Sequence, residues 1–330
     1  MRILEDQLIE RIRRRIPSSE GGALRLGIGH DAALIRPAGR DWVVTCDQFL
    51  EGVHFLIDKH PPESVGYKSV VRATSDVVAM AARPRLFLLS LALPAQRTGA
   101  WLDRMLSGMA RASKRLGLRL AGGDTTRSPG ERGRVALNLM VLGEAARGAK
   151  IGRAGARPGD AIYVTGVLGR AQLGLEILLR GRASARKYAN LLSPHYYPEL
   201  PLDFALWLGR YRLPSAMMDV SDGLSTDLAR LCKASGVGAR IYADRIPAVD
   251  VPHSAAPKLD PLTLALHGGD DYGLLFTAAK RLVARIPTVF GRTRVTRIGE
   301  IERGSKVSIV QASRKASPLK PGGWDPFAKH

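Results

Sequence analysis

The fold is decided by the stretch PPESVGYKSVVRATSDVVAMAARP, residues 61–84, and by RLFLLSLALP, residues 85–94, which follows it directly. The two prolines and Glu63 are typical of a helix start, and apolar residues recur at helical spacing as far as Pro84. The second segment is a continuous apolar run of strand length, which predicts a buried strand. A helix that leads straight into a buried strand indicates a chain that alternates helices and strands around packed sheets.

The same alternation continues in both directions. Short apolar segments upstream predict strands, and residues 1–17 predict an amphipathic helix. Downstream, helix and strand patterns follow one another to the Pro- and Gly-rich tail. A polar, Gly- and Arg-rich segment over residues 147–160 interrupts this order and indicates a boundary near residue 150. We therefore expect an α+β protein of two domains, 1–148 and 149–330.

The bulk composition limits the classes of function. The 330 residues are 45% hydrophobic and carry a formal net charge of +20, which attracts polyanions such as nucleotides. Lysine and arginine are scattered and not interleaved with aromatic residues, so a nucleic-acid surface that stacks bases is not predicted. Cys46 and Cys232 are too few for a disulfide framework, and no stretch approaches the roughly 18 apolar residues of a membrane span. A cytoplasmic protein without a membrane segment is expected.

Aspartates collect where apolar segments end. The positions in question are Asp31, Asp47, Asp124, Asp219, Asp222, Asp270 and Asp271. The preference of turns for Asp and Gly explains any one of them. Their repeated placement at the ends of apolar segments favours a group of carboxylates collected on one rim of the scaffold. Ligand sets made of oxygen atoms suit Mg²⁺, which completes its coordination with phosphate oxygens.

Spacing alone gives two other residues ordinary roles. Arg72 and Asp76 stand four residues apart in a helical segment, which predicts an exposed ion pair. His54, taken by itself, is typical of a structural histidine. The segment GIGHDA fits a dinucleotide fingerprint, but that fingerprint must open a helix and here a strand pattern follows. No phosphate loop of the G-x-x-x-x-G-K-[ST] type occurs in the sequence.

Taken in order, eight stretches resemble the thiamine-monophosphate kinases, members of the superfamily that includes aminoimidazole ribonucleotide synthetase. The resemblance extends from about residue 25 to residue 327, and EGVHF and the Trp/Phe tail separate this family from its relatives. The matching stretches are GIGHDAA, TCDQFLEGVHF, GYKSVVRATSDVVAMAARP, AGGDTT, RAGARPGD with VTGVLG, DVSDGLSTDL, GGDDYGLLFT and GGWDPF.

The resemblance implies a two-domain PurM-like α+β architecture with a mixed or antiparallel N-terminal sheet, and a homodimer formed through that domain. It also implies phosphorylation of thiamine monophosphate to thiamine diphosphate by ATP, with several Mg²⁺ ions. The residues implied as Mg²⁺ ligands are Asp31, Thr45, Cys46, Asp47, Asp76, Asp124, Asp219 and Asp222. Those implied at ATP are Gly123, Asp124, Arg153 and Ser221. Those implied at thiamine monophosphate are His54, Asp270 and Trp324.

The chain departs from the family pattern at four of these sites or their neighbours. His30 stands where the family commonly has an aspartate, and Cys46 where a threonine is usual; a thiol is a poor Mg²⁺ ligand, so its backbone carbonyl would have to serve. The family's GGEDYE is GGDDYG here, which shortens Asp270 and leaves Gly273 without a side chain. Two alternatives stay open: an ATP-dependent relative with a different acceptor, and a basic nucleic-acid-binding protein on the same scaffold.

Overall fold

The structure is a computed structural model that describes residues 24–26, 30–36, 41–130, 133–146, 148, 150–181, 186–256, 258–311 and 315–327. Over these residues, strands and helices alternate and form two β-sheets, so the predicted α+β class is confirmed. The amphipathic helix predicted over residues 1–17 lies outside the described residues. None of the described helices combines the length and the apolar character that crossing a membrane requires.

The first sheet is built from the N-terminal half of the chain. Its strands are β1 (Leu24–Leu26), β2 (Ala33–Ile35), β3 (Trp42–Leu50), β4 (Arg83–Leu93), β5 (Arg119–Arg127) and β6 (Ala136–Glu144). They lie in the order β1-β2-β3-β6-β4-β5. All neighbours are antiparallel except β4 and β5, which run parallel because the helix Ala100–Leu116 connects them.

Two helices, α1 (Pro62–Ala79) and α2 (Ala100–Leu116), pack on one face of this sheet. Glycine allows them to cross with their backbones in contact. A Cβ atom added to Gly66 would lie 1.9 Å from a backbone carbonyl oxygen of α2, and one added to Gly108 would lie 1.9 Å from a carbonyl oxygen of α1. The two helices therefore form one unit, which fixes where the side chains of α1 point.

Helix α1 ends earlier than the sequence predicts. Its last residue is Ala79, and the turn that follows contains Ala81 in a left-handed conformation, with φ of 52°. Pro84, predicted as the helix stop, already lies in β4. A residue that precedes proline avoids helical geometry, so the chain leaves the helix before Arg83. The predicted helix and strand are confirmed, but the strand is buried on one face only, and the predicted helix end is wrong by five residues.

The second sheet is built from the C-terminal half. Its strands are β7 (Ala161–Thr165), β8 (Ala216–Val220), β9 (Gly238–Tyr242), β10 (Gly273–Ala278), β11 (Val289–Phe290), β12 (Thr293–Glu302), β13 (Val307–Val310) and β14 (Ala316–Pro318). Seven lie in the order β14-β13-β9-β12-β7-β10-β8, and β11 pairs with β12. Strands β7, β8 and β10 are buried along their whole length, as expected of strands covered on both faces.

Helices cover both faces of the second sheet. The described helices of this half are α3 (Arg170–Leu179), α4 (Ala189–Tyr196), α5 (Leu202–Arg210), α6 (Leu224–Ser235) and α7 (Pro261–His267), of which α3 and α4 pack on each other in a separate core. Leu224, Leu228 and Leu231 of α6 are buried in one core of this sheet. Phe204 and Leu208 of α5 are buried in another core, together with side chains of β7, β8 and β10.

Helix α1 belongs to both halves of the molecule. Val70 and Val77 lie in the core of the first sheet, whereas Val78 and Ala79 are buried with Phe204 in a core of the second sheet. The helix therefore contacts both halves, and the polar side chains along it face the junction where the candidate site lies.

The other face of the first sheet exposes apolar side chains. Strand β5, at the edge of the sheet, is exposed along its whole length. Leu88 of β4 and Met140 of β6 lie opposite each other and are large apolar side chains exposed on this face. We call this surface the open face.

Candidate active site

Three aspartates from three separate elements converge at the junction of the two halves. Asp31 lies in the turn before β2, Asp76 in α1 and Asp219 in β8, and one carboxylate oxygen from each lies within 4.8 Å of the other two. The hydroxyl groups of Thr45 and Ser75 support them: Thr45 Oγ1 donates to Asp76 at 2.6 Å, and Ser75 Oγ donates to Asp219 at 2.6 Å. We call these three aspartates the carboxylate cluster.

The carboxylate cluster has the properties of a cation site. Burial, and after it the charges of Asp219 and Asp31, raise the pKa of Asp76 well above its usual value. Burial and the charge of Asp31 raise the pKa of Asp219 to about 7. Oδ2 of Asp31 is buried without a hydrogen-bond partner among the residues that the structure describes. Carboxylates that repel one another, with an unpaired oxygen among them, fit a hard divalent cation such as Mg²⁺.

Arg153 lies beside the carboxylate cluster. Its Nη2 donates to Asp31 Oδ1 at 2.7 Å and its Nε donates to the same oxygen at 3.0 Å. Burial opposes the charge of Arg153, but Asp31, Asp219 and Asp76 hold its pKa above the usual value. Arg153 therefore presents a permanent positive charge at the edge of the cluster, as a phosphate-binding residue would.

Strand β3 supplies residues from opposite faces. Thr45 is buried toward α1, and because side chains alternate along a strand, Cys46 points to the open face. Its thiol donates to Asn138 Oδ1 at 3.0 Å. Asp47 points back toward α1, where Arg72 Nε lies 2.9 Å from its Oδ2. The side chain of Cys46 is therefore outside the carboxylate cluster.

Asp47 extends the acidic region from the cluster toward Asp222 and Asp270. Burial is the main cause that raises its pKa, the charge of Arg72 opposes the shift, and the charges of Asp222 and Asp270 add to it. Asp47 also contributes to the raised pKa of Asp76. The structure thus brings five of the six aspartates that the family resemblance implies as Mg²⁺ ligands into one acidic region.

Asp124 is the exception. It lies on β5 opposite Ser90 of β4, and Ser90 lies opposite Asn138 of β6, so these side chains share one face of the sheet. That face is the open face, and Asp124 is exposed on it. The neighbouring Gly123 approaches β4 so closely that a Cβ atom would lie 1.9 Å from the carbonyl oxygen of Leu89. Asp124 does not join the carboxylate cluster within the described chain.

The loop after β8 is held by an aspartate that the sequence analysis did not select. Asp227 accepts hydrogen bonds from the backbone N–H groups of Ser221 and Asp222, both at 3.1 Å. Arg230 forms an ion pair with Asp222. The backbone N–H of Trp324 donates to the Asp222 carbonyl at 2.9 Å, which brings the C-terminal tail to this loop. The S-T-D segment in DVSDGLSTDL was the available signal for Asp227.

Asp270 is the centre of a second polar group. Lys68 Nζ donates to its Oδ2 at 2.8 Å, and the hydroxyl of Tyr272 donates to its Oδ1 at 2.6 Å. Arg72 Nη1 lies 3.7 Å from Oδ1. Burial opposes ionisation of Asp270, but Lys68 and Arg72 hold its pKa below the usual value. Its backbone is left-handed, with φ of 67°, a strained conformation for a residue with a side chain.

Lys68 begins a buried polar chain that no sequence pattern indicated. Its side chain is only 1% exposed, and its Nζ lies 3.4 Å from Nδ1 of His195. Nε2 of His195 lies 3.0 Å from Nε2 of His60, so one ring donates its proton and the other accepts it. Burial lowers the pKa of His60 to about 4. Both rings are therefore neutral at neutral pH, and Lys68 carries the charge that faces Asp270.

His54 lies near this second polar group. Its Nδ1 accepts a hydrogen bond from the backbone N–H of Leu50 at 2.9 Å, and its ring stacks on Phe49 with 5.5 Å between centroids. Burial and the charge of Arg72 lower its pKa to about 4. Neutral His54 therefore carries its proton on Nε2. Asp271, in contrast, has a structural role, because it accepts from the N–H groups of Gly169 and Ala171 at the start of α3.

Two family models cover most of the chain. The AIR synthase related protein N-terminal domain matches residues 29–145, and the C-terminal domain of the same family matches residues 157–311. The thiamine-monophosphate kinase of Aquifex aeolicus is 31% identical over 303 residues, which are 91% of this chain and 92% of that protein. The chain belongs to the AIR synthase related family, among its thiamine-monophosphate kinases.

Further relatives extend the similarity to nearly the whole chain. The thiamine-monophosphate kinase of Salmonella typhimurium is 34% identical and covers 98% of both chains. A solved structure described as AaThiL complexed with AMPPCP and TMP superposes with a TM-score of 0.85 at 30% identity, covering 99% of both chains. The resemblance drawn from the eight stretches and the two-domain PurM-like fold are both confirmed for this family member.

Proposed function

We propose that this chain transfers the γ-phosphoryl group of ATP to the phosphate of thiamine monophosphate and so forms thiamine diphosphate and ADP. The observation that carries the proposal is the placement of two sites along one helix: Asp76 of α1 belongs to the carboxylate cluster, and Lys68 of the same helix holds Asp270. Relatives named thiamine-monophosphate kinase, similar over nearly the full length, support the same activity.

Mg²⁺ is the metal that this set of donors fits. We propose that Asp31, Asp76 and Asp219 hold it, with Asp47 and Asp222 as further ligands at the edge of the cluster. When bound, Mg²⁺ neutralises charge on the phosphate oxygens of both substrates. Thr45 would be a ligand through its oxygen atoms, and Cys46 through its backbone carbonyl only, since its thiol points to the open face.

ATP is the proposed phosphoryl donor. Arg153 would contact its phosphates, since its charge is fixed beside the carboxylate cluster. Ser221, whose backbone is held by Asp227, would contact the nucleotide from the loop after β8. Gly123 and Asp124 are proposed ATP contacts by family resemblance. The solved relative complexed with AMPPCP and TMP supports nucleotide binding by this chain.

Thiamine monophosphate is the proposed acceptor, held by His54, Asp270 and Trp324. Its phosphate monoester has a second pKa of about 6, so an anionic oxygen is available at neutral pH without a protein base. That oxygen attacks the γ-phosphorus of ATP, a new P–O bond forms, and the bond from phosphorus to the β–γ bridging oxygen breaks with its electron pair on ADP. The protein contributes alignment and charge stabilisation.

The remaining expectations concern assembly and location. We propose a homodimer formed through the N-terminal domain, residues 1–148, with 149–330 as the second domain. The exposed Leu88 and Met140 on the open face support such a contact, because large apolar side chains collected on one surface mark interfaces. A cytoplasmic location fits two free cysteines. Nucleic acid is not a proposed partner, although the net charge is +20.

A turnover assay tests the proposal. Purified protein is incubated with ATP, Mg²⁺ and either thiamine monophosphate or free thiamine, and thiamine diphosphate and ADP are separated chromatographically. Diphosphate from thiamine monophosphate alone is the expected result. ATP binding without any diphosphate would contradict the proposed acceptor and favour a relative acting on another acceptor, with Asp270 and Gly273 as the altered positions.

A further inference from the structure

Arg72 lies between the two polar groups of the site. Its Nε is 2.9 Å from Asp47 Oδ2 and its Nη1 is 3.7 Å from Asp270 Oδ1. The side chain is 22% exposed, so its guanidinium reaches the junction of the two halves. Arg72 is thus a fixed positive charge between a proposed metal ligand and a proposed acceptor contact, and the proposed function gives it no role.

The other cations of the site are already engaged. Lys68 is 1% exposed and bonded to Asp270, Arg153 donates twice to Asp31, and Arg230 forms an ion pair with Asp222. Arg72 differs from them. The distance from Arg72 Nη1 to Asp270 Oδ1 is too long for a hydrogen bond. The Nε of Arg72 is close to Asp47, but it is buried and forms no hydrogen bond of good geometry among the described residues. Charge holds the guanidinium in place between Asp47 and Asp270, and the exposed part of the side chain can face a bound anion.

The acceptor presents the matching chemistry. A phosphate monoester carries between one and two negative charges at neutral pH, and it must enter a region that already contains Asp47 and Asp270. A guanidinium offers two parallel donors that fit two phosphate oxygens, which fixes direction as well as position. We propose that Arg72 binds the phosphate of thiamine monophosphate and orients its attacking oxygen. This inference rests on the proposed function.

The position of Arg72 favours the acceptor phosphate over those of ATP. Arg72 lies near His54 and Asp270, the proposed acceptor contacts. Its charge is the second cause, after burial, of the lowered pKa of His54. Arg153 occupies the corresponding place beside Asp31 on the proposed nucleotide side. The contact also separates two acceptors, because free thiamine has no phosphate for Arg72 to bind.

The test measures binding rather than turnover. Isothermal titration calorimetry with thiamine monophosphate and with free thiamine is done on wild-type protein, Arg72→Gln and Arg72→Lys. Arg85→Gln is the matched control, because Arg85 is also ion-paired, with Glu144 at 2.9 Å, but lies on β4 away from the site. Loss of a charged hydrogen-bond pair weakens binding by about 10- to 100-fold. The affinity of Arg72→Gln for thiamine monophosphate should fall by that factor, and its affinity for thiamine should stay within about 3-fold of wild type. The affinity of Arg72→Lys for thiamine monophosphate should be intermediate.

The outcomes separate this inference from the proposed function. Equal weakening of both ligands in Arg72→Gln would show a structural role and overturn the inference, as would unchanged binding of both. Wild-type affinity in Arg72→Lys would exclude bidentate recognition and overturn it too. If wild-type protein binds thiamine monophosphate but forms no diphosphate with ATP, the proposed function fails, while a phosphate-selective loss in Arg72→Gln still supports Arg72 as the phosphate contact.

Discussion

Replacement of Lys68 by methionine tests the second polar group. Lys68→Met keeps the volume and the apolar stem but removes the charge that faces Asp270, at a position only 1% exposed. Removal of one partner of a buried ion pair typically costs about 3–5 kcal/mol, because the remaining charge is left without compensation. The Asp270 side chain is 28% exposed, so water and Arg72 offset part of the loss. We therefore expect a decrease of about 3 kcal/mol in the free energy of unfolding, at the lower end of that range.

A double-mutant cycle separates the pair from general packing. The free energy of unfolding is measured by urea denaturation for wild type, Lys68→Met, Asp270→Asn and the double variant. Because each single change leaves one charge unpaired, the double variant should be at least about 1.5 kcal/mol more stable than the sum of the single effects predicts. Additive effects, or a cost below about 0.5 kcal/mol for Lys68→Met, would refute the argument that Lys68 compensates Asp270.

Three further predictions concern metal binding, pH and packing. Asp219→Asn should abolish turnover and remove the rise in melting temperature that Mg²⁺ causes. The melting temperature without Mg²⁺ should stay equal or increase, because the change relieves repulsion in a cluster where the pKa of Asp219 is about 7. A Mg²⁺-induced rise that persists in this variant would contradict the assignment of Asp219 as a metal ligand. Burial lowers the pKa of His60 from 6.5 to about 4, so the unfolded chain takes up a proton below pH 6.5 that the folded protein does not. The stability that neutral His60 contributes is complete above that pH and is lost as the pH falls toward 4. His60→Gln should therefore remove about 2 kcal/mol of the decrease in the free energy of unfolding that denaturation measures between pH 7 and pH 5. Gly108→Ala places a Cβ atom 1.9 Å from a carbonyl oxygen of α1 and should cost at least about 2 kcal/mol in a thermal melt. Gly99→Ala adds its Cβ atom with no other atom within 4 Å, and because it changes only the N-cap of α2 it should cost less than about 1 kcal/mol.

Much of the fold followed from local patterns, and the pairing of strands did not. The helix and strand over residues 61–94 are visible in periodicity alone, since each is longer than the turns that interrupt it. The order β1-β2-β3-β6-β4-β5 places β6 between β3 and β4, although the chain reaches β6 last. Such pairings depend on contacts between residues far apart in sequence, which a single sequence does not display.

Site residues that follow apolar segments could be predicted from the sequence. Site residues whose role depends on a partner far away in the sequence could not. Asp31 and Asp219 end apolar segments, a position that attracts notice. Lys68 has no local signal, because its partner Asp270 is 202 residues away. The exposed Arg72–Asp76 pair expected from helical spacing is wrong: Asp76 accepts from Thr45, and Arg72 pairs with an acid on β3. Helical spacing shows which residues share a face, but tertiary contacts decide what that face meets.

Helix α1 sets the distance between the two polar groups of the site. Lys68 and Asp76 are eight residues apart on one straight element, which sets about 12 Å between the acceptor end of the site and its metal end. Insertion of one residue between Lys68 and Asp76 would rotate one end by about 100° and misalign both substrates at once. The interval between the two polar groups of the site is therefore set by the rise of a single helix.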